Sequence, residues 1–369
     1  MTNIKQTNFQ ELFVNLLSKL SEREQDVLKN RYHLTSDLPK KATLKQIGDT
    51  YNITRERVRQ IEKEAIRKLV EQAGDSEFST DLTQIENEYI NYLEKNGGVV
   101  REDHLLENFV STEHDLDFLH SNAFLFALGN LFNSTEKVDN HDSFHNVWKL
   151  GDVDLDHIAE LITKLEAVLV KEEKVYERAQ MLELAKSNLT EQLEASLQKY
   201  TSKHGLDIND FLGSYLHSTS KIESNILDEW GLSHWDSIKP KKLGDKINLV
   251  FRKITKPLHF REIADKINES KFDHKNICAA TVHNELIAND NFVLIGRGLY
   301  ALKDWGYSTG TVADIIKGIL EKANKPMTKD EIYEEVLKQR LVNKSTIYLT
   351  LINKNKFDKT SEGRFDILR

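Results

Sequence analysis

The sequence predicts a mainly α-helical, multi-domain chain, an array of small helical units with short β wings. Three observations predict it. Four prolines and 16 glycines in 369 residues are too few for long disordered linkers or an all-β sandwich. Long stretches rich in Leu, Ile, Glu and Lys carry apolar residues at helical spacing. The C-terminal third repeats itself at a fixed offset.

The elements follow in order. Residues 8–20 read as a short amphipathic helix. Ser21 with Glu24 three residues on is a capping box, and the helix it starts runs to about Tyr32. Ser36, Asp37 and Pro39 mark 33–41 as a loop. A helix begins after Thr43 and covers LKQIGDTY. Asn52-Ile53-Thr54 forms a tight turn, and Thr54 caps a helix from Arg55 to about Gln72. This is a helix-turn-helix: Ile47, Tyr51 and Ile53 supply the contacts between its helices, and Gly48 permits their close approach. Val58, Ile61, Ala65 and Leu69 face inward.

Residues 82–150 read as helices, an apolar FLFALGNLF, a polar break and a strand in FHNVWKL, the pattern of a winged helix. Residues 155–200 are heptad-like, with Leu161, Leu165, Val168 and Val175 apolar, and fit one long helix or a helix pair. That stripe could join two copies in a homodimer or pack within the chain. Residues 205–235 read as a further helical unit ending in WGLSHW.

The repeat lies beyond. Lys256-Pro257 through Ile263 is followed by Lys325-Pro326 through Ile332. From Thr281 and Thr346 onward the offset is a constant 65 residues. Each copy reads as three helices, a glycine turn and a strand, a winged helix-turn-helix. In the first, Ile263, Ile267, Val282, Leu286, Phe292, Leu294 and Leu299 are the expected core, and Arg297 sits at the wing tip. The predicted modules are a helix-turn-helix at 1–75, a winged helix at 80–150, a helical connector at 151–236, and winged helices at 237–307 and 308–369.

Charge sharpens the reading. The net charge is −8, but acid is concentrated in the middle. Residues 81–200 carry 10 Lys/Arg against 24 Asp/Glu, while 40–69 carry nine against four. The chain is therefore not a charge-driven DNA coater, yet its helix-turn-helix is locally basic. Cys278 is the only cysteine, which excludes an intrachain disulfide and a Cys-based zinc cluster. No cofactor or metal is expected. His259 and His283 read as capping or surface histidines. No nucleotide loop, metalloprotease motif or nucleophile elbow occurs, so no enzyme is expected. No membrane span and no secretory signal are found, which predicts a cytoplasmic, nucleoid-associated protein without a membrane partner.

Residues 20–69, LSEREQDVLKNRYHLTSDLPKKATLKQIGDTYNITRERVRQIEKEAIRKL, closely resemble region 4 of sigma-70 family factors, the part that binds the −35 promoter element. The resemblance implies double-stranded DNA and RNA polymerase core as partners. It makes Arg55, Glu56, Arg59 and Gln60 the base-reading and adjacent positions. The residues agree, because these side chains occupy the N-terminal part of the second helix, which enters the major groove in such motifs. Arg pairs with guanine, Gln with adenine, and Glu accepts from cytosine. The candidate DNA-binding set is Thr43, Thr54, Arg55, Glu56, Arg57, Arg59, Gln60, Lys63 and Arg297.

Residues 239–305 resemble the HARE-HTH winged helices, which include the N-terminal domain of the RNA polymerase delta subunit. The resemblance rests on KPLHFREIADKIN and TVHNELIANDNFVLIGRGLYALKDWGY. Sigma factors also carry an aromatic-rich, basic segment ahead of region 4 that melts the promoter. The roughly 20 residues before the motif leave no room for it, and 81–200 is too acidic, so promoter opening is not expected. The expected function is a transcription regulator reading duplex DNA, including a −35-like element. The alternatives are a polymerase-associated subunit using its modules as protein docks, and the DNA-recognition part of a restriction or repair system.

Overall fold

The computed structural model describes residues 9–35, 40–110, 118–270, 272–273, 275–307, 310–340, 342–353, 356–360 and 363–368. Ser36, Asp37 and Pro39 of the expected loop lie outside them. The chain is mainly helical with small antiparallel sheets. It divides into two compact units, Met1–Glu223 and Ser224–Arg369.

The first unit opens with α1 (Phe9–Ser18), α2 (Glu22–Tyr32), α3 (Leu44–Tyr51) and α4 (Arg55–Ala73). Their starts are where the capping residues put them. The Ser21 N–H donates to Glu24 Oε2 at 3.0 Å. Thr43 accepts from the Gln46 N–H at 3.3 Å, and Thr54 from the Arg57 N–H at 3.2 Å. Asn52 turns the chain between α3 and α4 at φ 52°, a left-handed position that Asn tolerates. Val27, Ala42, Ile47, Val58 and Ile61 form the local core, with Tyr51 and Ile53 packed on it.

Gly48 sits where α3 meets that turn. A Cβ there would lie 2.6 Å from the Ile53 carbonyl oxygen, a backbone atom with little room to move. Gly48→Ala is therefore expected to cost about 1–3 kcal/mol by overpacking, against the small gain Ala brings to an ordinary helix. Chemical denaturation of the full chain measures it, and a neutral or stabilising result would contradict the close approach.

Next come α5 (Ser79–Lys95), β1 (Val99–Arg101), α6 (Glu102–Leu105) running into a π-turn at Leu106–Val110, α7 (Phe118–Asn130), β2 (Thr135–Val138) and β3 (Val147–Leu150). The strands form an antiparallel sheet in the order β1-β3-β2, with Trp148 opposite Val100 and Lys137. FLFALGNLF lies largely in α7, and its rings hold the N-terminal helices. Phe124 meets Phe9 at 5.5 Å, and Phe126 meets Phe13 at 5.7 Å and Tyr32 at 4.7 Å. The Asn122 side-chain amide donates to the His33 carbonyl at 3.1 Å.

Residues 155–200 are neither one long helix nor a pair. They form α8 (Leu155–Glu172), the short β4 (Tyr176–Glu177), α9 (Arg178–Ser187) and α10 (Glu191–His204), which continues to His204. Glu173 ends α8 in the left-handed conformation, and Thr190 caps α10 by accepting from the Leu193 N–H at 3.3 Å. The buried stripe of α8 is Leu155, Ile158, Leu161, Ile162, Leu165 and Leu169. Val168 and Val175 are only half-buried. The stripe is covered by the chain itself, so it presents no seam to a second copy. The unit closes with α11 (Ile208–Ser218); β5 (Ile222–Ser224) spans the boundary.

The second unit holds β6 (Glu229–Leu232), where Trp230 is a buried strand residue rather than the end of a helix. Then follow α12 (Leu243–Ile254), β7 (Leu258–His259), α13 (Phe260–Glu269), α14 (Ala279–Ala288), β8 (Phe292–Leu294) and β9 (Leu299–Leu302), with strand order β7-β9-β8. The second copy gives α15 (Val312–Ala323), α16 (Lys329–Gln339), α17 (Lys344–Leu351), β10 (Phe357–Lys359) and β11 (Phe365–Ile367). The offset of 65 survives in the packing. Val282, Leu286, Phe292 and Tyr300 are buried in one core, and Ile347, Leu351, Phe357 and Phe365 in the other. Leu294 departs from the expected core and is 43% exposed. Its strand neighbours Val293 and Ile295 instead bury against Ala301 on the opposite face.

Candidate nucleic-acid interface

Helix α4 has two faces. Val58, Ile61, Ala65 and Leu69 are buried, while Thr54, Arg55, Glu56, Arg57, Arg59, Gln60 and Lys63 are exposed. The predicted readers therefore share the N-terminal half of one 19-residue helix, where its dipole is positive and favours anions.

These side chains are engaged with one another. Arg59 forks onto Glu56, Nε to Oε2 at 2.9 Å and an Nη to Oε1 at 2.6 Å. The hydrogen bonds from Arg59 hold the Glu56 carboxyl below the usual carboxylate range. Arg57 donates to Gln60 Oε1 at 3.0 Å. Among the described residues Arg55 and Lys63 form no ion pair, although the Arg55 charge also helps to hold the Glu56 carboxyl down. Any contact of Arg59 or Gln60 with another group has to displace these local partners, and only the surplus would show as affinity.

Thr43 and Thr54 are structural caps. The Thr43 N–H and hydroxyl both reach Gln46 Oε1, at 2.9 and 3.0 Å. A phosphate at Thr43 would have to displace the Gln46 side chain. Exposed Lys40, Lys41 and Lys45 flank this cap. Sequence reasoning counted them in the local charge without singling them out. Arg297 stands exposed at the β8–β9 hairpin tip in the second unit, before Gly298 at φ 73°. His259 caps α13, accepting from the Arg261 N–H at 3.3 Å, and His283 packs on Phe260 at 4.7 Å. No cluster of three or more His, Cys, Asp or Glu side chains fit for a metal occurs among the described residues. Nor is any described helix long and apolar enough to cross a membrane.

Polar pairs brace α4 from behind. Tyr32 donates to Glu62 at 3.0 Å, and Lys68 reaches Glu24 at 2.6 Å. Burial pushes the Glu24 carboxyl up, but hydrogen bonds from Lys68 and Ser21 outweigh it and hold the group below its ordinary value. A depressed folded value means that Glu24 contributes stability above its unfolded value, near 4.3, and loses it as pH falls through the folded one. Glu24→Gln is expected to cost about 1–2 kcal/mol at pH 7. Thermal unfolding of wild type and variant should converge as the pH falls through that lowered folded value. A gap that persists unchanged into acid would contradict the charged role.

With this geometry in place, the comparison with known proteins is specific. Residues 16–71 match the family model of sigma-70, region 4. The RNA polymerase sigma factor SigA of Microcystis aeruginosa is 54% identical over 55 residues, 15% of this chain and 13% of that protein. SigA of Synechocystis sp. is 54% identical over 55 residues, 15% of this chain and 12% of the other. SigA1 of Synechococcus elongatus is 56% identical over 54 residues, 15% and 13% of the two chains. The match thus spans about an eighth of the length of these sigma factors and stays within the region 4-like segment. All of the α4 candidates fall inside it, and Arg297 falls outside.

Proposed function

We propose that this protein is a DNA-binding transcription regulator that reads duplex DNA, including a −35-like promoter element, through the helix beginning at Arg55. The observation that carries this is the exposed Arg55–Gln60 face at the start of α4, inside a segment matching sigma-70 region 4. Arg55, Glu56, Arg59 and Gln60 meet base edges; Thr43, Thr54, Arg57 and Lys63 lie along phosphates. RNA polymerase core is the proposed protein partner, and the protein acts on DNA in the cytoplasm. The chemistry is recognition, not catalysis.

The five modules read from the sequence remain our proposed organisation within the two units. Residues 80–150, 237–307 and 308–369 are read as winged helices, the second of HARE-HTH type. Support comes from the order of three helices and a hairpin in both C-terminal copies. Arg297 is the proposed auxiliary contact, to a phosphate or the minor groove.

The test is binding to a promoter duplex across a salt series. Several phosphate contacts predict a steep fall of affinity with salt. Removing residues 224–369 should weaken binding by about tenfold and flatten the salt slope while leaving the preferred sequence unchanged. A changed or lost preference would move the base reading to the second unit and refute the assignment.

A further inference from the structure

The third helix of the second C-terminal copy is built unlike a groove reader. On α17, Tyr348 is 44% exposed, Leu349 65% and Ile352, just past its end, 47%. At spacing i, i+1 and i+4 they share one side of the helix. Leu349 and Ile352 carry no donor or acceptor, so they read no base edge by hydrogen bonding. Three adjacent exposed apolar side chains instead mark an interaction surface.

The repeat supplies an independent observation. Subtracting the offset of 65 from Ile352 gives Ile287, which is exposed too, at 65%. An exposed isoleucine thus recurs at the same place in both copies. Around it the copies differ: His283 and Asn284 stand where the second copy has Tyr348 and Leu349. The second copy has enlarged an apolar position that the first holds singly.

The rim is cationic. Lys329 Nζ lies 5.7 Å from the Tyr333 ring and 5.9 Å from the Tyr348 ring. Lys344 Nζ lies 5.9 Å from the Tyr333 ring. Among the described residues neither lysine has an ion pair; both ammonium groups sit over aromatic faces with no carboxylate beside them. An apolar strip on a short helix packs best against the apolar strip of another helix, and unopposed ammonium groups select carboxylates beside that strip.

We propose that the Tyr348–Leu349–Ile352 face, with Lys329 and Lys344, is a docking site for an acidic amphipathic helix of a protein partner. It works whether or not α4 reads a promoter. The test uses the full chain and three probes: a fluorescein-labelled Leu/Glu amphipathic helix, its Leu/Lys counterpart, and a mixed-sequence duplex. The acidic helix should bind saturably and at least about tenfold tighter than the basic one. Leu349→Ser with Ile352→Ser should weaken it by at least about tenfold, and Lys329→Glu with Lys344→Glu should shift preference to the basic helix. All four positions are exposed, so an unchanged unfolding temperature certifies the fold. Absence of saturable binding, no preference for acid, or insensitivity to the serine pair overturns the proposal. A tenfold loss of duplex binding in the serine pair would reassign the face to nucleic acid.

Discussion

Arg55→Ala should lower affinity for the preferred duplex by about 1–3 kcal/mol, about five- to 150-fold, and relax the sequence requirement at one position. Arg55 begins α4, is exposed, and forms no ion pair among the described residues, so its charge is available on encounter. Gln60→Ala should act in the same direction at a different position, with a smaller loss. In the free protein Gln60 already accepts from Arg57, and that bond must be given up. Arg59→Ala is the complex case. It removes a proposed reader and leaves the Glu56 carboxylate without its fork of two hydrogen bonds, its charge uncompensated against the DNA. Its loss should therefore exceed that of Arg59→Ala combined with Glu56→Ala, a non-additivity that a double-mutant cycle reads directly. Equal loss on every sequence from Arg55→Ala would show a phosphate contact and remove the base-reading role.

The second large effect lies in the core. Phe124 is 2% exposed and meets the rings of Phe9, Tyr89 and Phe109 at 5.5, 6.0 and 5.6 Å. Phe124→Ala should destabilise the first unit by about 3–5 kcal/mol. It also removes one of the ring contacts that α7 offers to α1, leaving Phe126 on Phe13. Two consequences are expected in denaturant unfolding: a lower midpoint and earlier exposure of the N-terminal helices. Protection of α1 amides against hydrogen exchange should fall more than protection of α8, whose stripe is buried elsewhere in the unit. Equal loss in both helices would show that α7 does not hold α1 in particular.

This anchoring explains what the sequence did and did not reveal. The helix-turn-helix was legible because its signals are local. Ser21, Thr43 and Thr54 fix the helix starts, Asn52 and Gly48 the turn, and a 3.6-residue period the buried face. The repeat was legible because an offset of 65 needs no knowledge of packing. The partners of Phe9, Phe13 and Tyr32 were not, since they lie about a hundred residues away in α7. The break of 155–200 into α8, α9 and α10 was missed because Glu173 and Asn188 are weak punctuation compared with Gly or Pro. Leu294 was misplaced by a strand register that holds for Phe292 and fails two residues on, beyond the cover of the helices. At the site, exposure of the candidate readers followed from periodicity. The Arg59–Glu56 and Arg57–Gln60 pairings were implicit in their i, i+3 spacing but needed side-chain geometry to be seen.

Selection of bound duplexes from a random library by the full chain at near-physiological salt tests base reading by α4 directly. One short consensus should be enriched, and selection with Arg55→Ala should return that consensus with a single position relaxed. Recovery of no consensus, or of the same consensus unchanged by Arg55→Ala and Gln60→Ala together, would contradict reading by the helix that begins at Arg55.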